Sequence, residues 1–129
     1  MAEHNDLGKK GEKLAKEYLI SEGYKLLYEN WRLGRFEIDL VMQNDKNLII
    51  VEVKTRNTMA FGPPESFVSK QQQLHLAEAV EGFFYKNPDI NLEVRYDVVS
   101  VIIEEDTSKI MHFEDAFWPD NLSSFSIDI

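Results

Sequence analysis

The chain has 129 residues, enough for one domain that buries roughly two thirds of the surface its unfolded form exposes, so no disulfide staple is needed. Cysteine is absent, which excludes thiolate catalysis, cysteine-based zinc sites and iron–sulfur clusters, and suits a reducing compartment. The formal net charge of −9 is unevenly spread: residues 1–70 carry 11 Lys and Arg against 11 Asp and Glu, and residues 71–129 carry 3 against 12. A neutral half that holds most of the cations can still present a basic face, so the acidic total does not exclude a nucleic-acid partner.

The polar start, MAEHNDLGKKGEKL, does not read as a secretory signal, and no apolar run approaches the ~20 residues of a membrane span, so no membrane partner and a cytoplasmic location are expected. The chain shows no repeat or linker and is read as one domain over 1–129, with a short tail from about 118. Leu7, Gly11, Leu14, Ala15, Tyr18 and Leu19 recur at helical spacing and predict a helix over about Asn5 to Glu22, ended by Ser21 to Gly23. A strand follows near Tyr24 to Trp31, and two more lie within Gly34 to Arg56. The segment NTMAFGPPESFV, with Gly62, Pro63 and Pro64, predicts an exposed loop. A second helix spans about Ser69 to Tyr85 and is broken by Asn87-Pro88-Asp89. LEVRYDVVSVII and KIMHFEDAF read as a fourth and a short fifth strand. The order αβββαββ describes an α/β domain, a mixed sheet flanked by helices.

In GRFEIDLVMQNDKNLIIVEVKTR, from Gly34 to Arg56, charges occupy strand positions where a core strand carries hydrocarbon. Phe36, Ile38, Leu40 and Met42 alternate with Arg35, Glu37, Asp39 and Val41, which predicts one apolar face and one that begins charged. A hairpin turning symmetrically about Asn44-Asp45-Lys46-Asn47 sets Leu40 against Val51 and Ile38 against Val53. The same register sets Asp39 opposite Glu52 and Glu37 opposite Lys54, so the four charged groups share a face. Opposed carboxylates about 5 Å apart at Cβ repel each other, and a divalent cation reverses that sign. Mg²⁺ takes oxygen ligands at about 2.1 Å, with water completing the octahedron, and the Lys54 ammonium would lie alongside to orient a water or stabilise charge on phosphorus. From the hairpin alone, an edge with a solvated charged face, Lys54 neutralising Glu37 or Glu52, serves equally well.

Asp39, twelve intervening residues and then Glu52-Val53-Lys54 resemble the D…(D/E)xK signature of restriction-endonuclease-like nucleases. The wider blocks LGKKGEKLAKEYL, FEIDLVM, LIIVEVKTR, FGPPE followed by Lys70, RYDVV and HFEDAF are similar to those of the YraN-type uncharacterised family, over about residues 5–117. Its members are predicted endonucleases distantly similar to archaeal Holliday junction resolvases. The resemblance implies a restriction-endonuclease-like fold and hydrolysis of DNA phosphodiesters with Mg²⁺ or Mn²⁺. It places Glu12, Asp39, Glu52 and Lys54 on the active-site positions, with Asp39, Glu52 and Glu12 as the metal set. A homodimer would suit a symmetric junction. In one departure, Phe36 stands where the family has Gly before Glu-Ile-Asp, and a ring there would crowd the substrate.

Outside the pair of strands the residues allow more than one reading. Glu12 can pair with Lys16 at i, i+4, a common surface contact. Glu37 either backs Lys54 or caps the charged face. Arg35, Arg56 and Lys70 border the proposed site and would grip phosphates, whereas Lys9, Lys13 and Lys16 fit a solvated helix flank. His4, His75 and His112 show no ligand spacing, Phe83, Phe84 and Tyr85 read as packing, and Asp97 reads as a structural partner of Arg95 or Arg35. Two other functions compete with the nuclease: a non-catalytic nucleic-acid-binding or DNA-processing accessory protein, and a protein-interaction module docked through the acidic half from Gln71 onward.

Overall fold

In a computed structural model the elements run α1 (Ala2–Ser21), β1 (Lys25–Leu33), β2 (Phe36–Gln43), β3 (Asn47–Arg56), α2 (Lys70–Lys86), β4 (Glu93–Ile103) and β5 (Ser108–Phe113), the expected αβββαββ order. The structure describes residues 2–57 and 68–119, so the loop expected around Gly62, Pro63 and Pro64 and the tail from 120 lie outside the described residues. The strands form one sheet in the order β1-β2-β3-β4-β5. Neighbours are antiparallel except β3 and β4, which are parallel and joined by α2. Parallel neighbours need such a crossover, and a helix supplies it.

Each helix covers its own core. Ala15 and Leu19 of α1 pack with Leu40, Met42, Ile49, Val51, Val53, Val99 and Val101. Leu76, Ala79, Val80 and Phe83 of α2 pack with Ile38, Val41, Leu48, Ile50, Tyr96 and Val98. The sheet is therefore apolar on both faces, which accounts for the near-continuous hydrophobic runs of β3 and β4. Helix ends follow local chemistry. α1 stops at Gly23 (φ 100°), whose N–H donates to Ile20 O at 3.0 Å. α2 begins with a reciprocal cap in which Gln72 N–H donates to Ser69 Oγ at 3.1 Å and Ser69 N–H to Gln72 Oε1 at 3.0 Å. Asn44 closes the β2–β3 turn, its Oδ1 accepting from Lys46 and Asn47 N–H at 3.0 and 2.8 Å.

Two expectations are corrected. The fifth strand ends at Phe113 rather than continuing to Phe117, because Asp115 adopts φ 53° and Ala116 N–H turns back to Tyr96 O at 2.7 Å. Phe36, Ile38, Leu40 and Met42 do not share one face. Ile38 and Val41 belong to the α2 core, while Leu40 and Met42 belong to the α1 core. The pleat changes step where the β1–β2 ladder passes from Glu29↔Leu40 to Trp31↔Ile38, with Asn30 and Asp39 between them and Asn30 at φ 52°. A left-handed residue in a strand breaks its alternation, and asparagine tolerates that conformation better than most. The β2–β3 ladder carries the expected register from Leu40↔Val51 to Gln43↔Leu48 and stops there, one residue before Asp39 and Glu52.

Candidate functional site

The end of that ladder frees backbone donors, and Asp39 takes one: Val53 N–H donates to Asp39 Oδ2 at 2.9 Å. This bond fixes a largely buried carboxyl in the gap between β2 and β3. Glu52, on the next strand, hydrogen-bonds to Asp39 through its own carboxyl. Burial, and after it the charge of Glu52, push the Asp39 pKa up to about 7. Glu52 is likewise raised by burial, against the opposing pull of the Lys54 ammonium. That ammonium lies 3.5 Å from Glu52 Oε2, and both side chains are under one-fifth exposed. Ionising both carboxyls would set like charges side by side away from water, which is the physical cause of the upward shifts.

Glu12 reaches the same region from α1. Its carboxyl hydrogen-bonds to the Asn30 side chain, and its pKa is raised first by burial and then by the Asp39 charge. The alternative reading, a Glu12–Lys16 pair, is not formed: Lys16 Nζ lies 3.1 Å from Glu29 of β1 instead. Gly11 makes the approach possible. A Cβ at Gly11 would fall on Thr55 Oγ1 and within 2.8 Å of its Cγ2 and Cβ, so α1 rests on β3 only without a side chain there. Gly11→Ala gains up to about 1 kcal/mol of helix propensity. The collision with strand side chains costs about 1–3 kcal/mol, which outweighs it. Denaturant melts should show net destabilisation that Thr55→Ala partly relieves in the double variant; an unchanged or raised midpoint for Gly11→Ala would contradict this packing.

An oxygen-only pair suits Mg²⁺ or Mn²⁺, which are held by one or two carboxylates and keep several waters. Asp39 and Glu52 meet that requirement. Among the described residues, no three Asp, Glu or His side chains come close enough to hold an ion together. The expected contact between Glu37 and Lys54 is not formed: Glu37 instead accepts from Arg32 Nε at 3.0 Å, its ladder partner on β1.

Of the expected cations, Arg35 is exposed at the β1–β2 turn with its guanidinium 5.3 Å from the Phe36 ring centre. Lys70 is exposed at the start of α2, and Arg56 ends β3 two residues beyond Lys54. The Phe36 ring packs against the α2 core and lies 5.9 Å from the His75 ring. It therefore joins the start of β2 to α2. Among the three ring residues of α2, Phe83 is fully buried and Phe84 packs on the core, but Tyr85 is 82% exposed and does not serve packing.

Asp97 is structural, as its apolar strand suggested, and Arg95 is its partner. It is fully buried and accepts from Arg95 Nε and Nη2 at 2.9 and 2.8 Å, His112 Nε2 at 2.7 Å and Asp115 N–H at 2.9 Å. Burial pushes its pKa up, but these hydrogen bonds outweigh it and hold the carboxyl below its usual range. Asn30, Gly11 and Thr55 are the site neighbours that sequence reasoning missed. Only Asn30 carried a signal, as a residue that favours left-handed backbone inside an otherwise strand-like run.

Residues 11–101 match the model of a family described as uncharacterised protein family UPF0102. A UPF0102 protein of Flavobacterium psychrophilum is 47% identical over 118 residues, covering 92% of this chain and 98% of its own length. Another from Syntrophomonas wolfei is 40% identical over 114 residues, covering 88% and 99% respectively. A third, from Phocaeicola vulgatus, is 38% identical over 119 residues, covering 92% and 98%. A match of that extent, running from the middle of α1 through most of β4 and so over every residue of the Glu12, Asp39, Glu52 and Lys54 group, means that the chain belongs to the UPF0102 family.

Proposed function

We propose that the protein is a metal-dependent endonuclease that hydrolyses DNA phosphodiester bonds, with branched or single-stranded DNA as substrate. One observation carries the reading: two part-buried carboxyls face each other where a β ladder ends, with an ammonium 3.5 Å from one of them. As packing, the arrangement is unfavourable, because ionising both groups forces like charges together out of water. Such groups are retained where an active site needs them.

In this reading Asp39 and Glu52 hold Mg²⁺ or Mn²⁺. The bound ion would supply charge neutralisation at the scissile phosphate and lower the pKa of a water. Val53 N–H keeps Asp39 in position. Lys54 stabilises the negative charge that accumulates on phosphorus and orients the attacking water. Glu12, anchored by Asn30, sits close enough to interact with Asp39 electrostatically and positions water at the edge of the pair. Arg35, Arg56 and Lys70 contact flanking phosphates, which makes binding fall with salt.

Incubation with single-stranded, nicked and four-way-branched DNA in Mn²⁺ tests the proposal. Cleavage is expected, and Lys54→Ala should reduce it by about 10²-fold or more. No metal-dependent cleavage on any substrate, with Lys54→Ala behaving as wild type, would overturn it. Salt-dependent DNA binding without cleavage would select the accessory-protein reading instead.

A further inference from the structure

A second concavity lies at the C-terminal end of α1. It is a cavity of about 370 Å³ whose walls include Tyr18, Glu22, Tyr24, His112 and Glu114, with Asn44 of the β2–β3 turn at its edge. Asn44 is five residues along the chain from Asp39, about 16 Å at strand rise, so the two sites are separate.

The chemistry of the cavity follows from the buried Asp97 beneath it. Asp97 already accepts from Arg95, and as an ionised carboxylate it can only accept, so His112 Nε2 must be the N–H donor of their 2.7 Å contact. The rest of the His112 ring, on a side chain that is only 8% exposed, lines the cavity. Arg95 and Asp97 cancel each other's charge. Glu22 and Glu114 are left over: Glu22 is exposed, and Glu114 lies at a loose 3.5 Å from Arg95. No lysine stands among the lining residues. Two tyrosine rings stand edge-on to His112, with centroids 6.2 and 5.8 Å away, and Tyr24 already takes the Arg95 guanidinium over its face at 5.7 Å. The lining thus offers two carboxylates, an imidazole ring and a further aromatic ring. Aromatic faces with carboxylates are the usual means of holding an organic cation. A volume near 370 Å³ is that of a small-ligand site.

We infer that this cavity binds an organic cation, an alkylammonium or guanidinium group, held by Glu22, Glu114 and Tyr18 beside the His112 ring. Such a group is carried by a free amine or by a basic side chain of a protein partner. The inference does not depend on phosphodiester chemistry.

Titration of the ¹⁵N-labelled full chain with n-butylamine and methylguanidine, read by NMR, tests it. Saturable shifts are expected at the Gly23 and Tyr24 amides and at the His112 ring nitrogens. The Glu22→Gln/Glu114→Gln double variant, altered only at exposed positions, should bind at least tenfold more weakly while keeping the wild-type spectrum elsewhere. Parallel titrations with spermidine and with the N-acetylated amides of lysine and arginine separate the two sources: tighter binding by spermidine identifies a free amine, and equal or tighter binding by the blocked residues identifies a side chain. Linear, non-saturating shifts, or equal affinity in the double variant, would overturn the assignment, and so would equal perturbation by acetate. Loss of DNA cleavage bears on the other site and leaves this result unaffected.

Discussion

Asp39→Asn is expected to abolish metal-dependent cleavage and, at the same time, to make the protein more stable at neutral pH. Asparagine keeps an oxygen for the 2.9 Å bond from Val53 N–H and adds an amide that can donate to Glu52, while removing a buried negative charge. The Asp39 pKa rises from 3.8 to about 7 on folding, chiefly through burial. The stability this group contributes is therefore fully present below pH 3.8 and lost as pH rises through about 7. The variant does not suffer that loss. Its advantage over wild type should be near zero at pH 4 and grow to about 1–3 kcal/mol by pH 8, since the pair titrates jointly. For a chain of this size that is roughly 3–12 °C in Tm. Melts at several pH values in the absence of divalent ions measure it. A variant less stable than wild type at pH 8, or a difference that does not change with pH, would show that the carboxyl pair is not strained. Removing an acidic functional group often trades activity for stability in this way.

Asp97→Ala should have the opposite and larger effect. Asp97 is fully buried and is the common acceptor for Arg95, His112 and the Asp115 N–H. Truncation leaves a largely buried guanidinium and two further donors without their acceptor. Removing one partner of a buried ion pair costs about 3–5 kcal/mol. That is roughly 10–20 °C in Tm for a domain of this length. Asp97→Asn retains an acceptor and loses the charge, so it should fall between wild type and alanine. Loss of less than about 1 kcal/mol on truncation would mean that water replaces the carboxylate and that the network is not structural. The pH dependence again follows from direction. The Asp97 pKa is lowered on folding, so its contribution is present above 3.8 and lost as pH falls through the lower folded value. The two aspartates thus act against stability at opposite ends of the scale, Asp39 toward neutral pH and Asp97 toward strong acid. Wild-type stability should peak in mildly acidic solution, and Asp39→Asn should move that maximum upward.

The amino-acid order alone determined the element sequence and the β2–β3 register, because helical and strand periods place apolar side chains toward a core, and a one-residue slip would expose Leu40 or Val51. It also brought Asp39, Glu52 and Lys54 together as a group, through the length of one tight hairpin. What it could not decide was the fate of those groups once the ladder ended. Reading faces by alternation assumes an unbroken pleat, and Asn30 at φ 52° breaks it opposite Asp39, sending Ile38 to one core and Leu40 to the other. The pairing of Glu37 with Arg32, the anchoring of Glu12 by Asn30 and the burial of Asp97 under His112 likewise depend on contacts between different elements. Only the tertiary structure settled these, because hydrogen bonds and desolvation depend on which groups share a low-dielectric space, and chain separation carries no information about that.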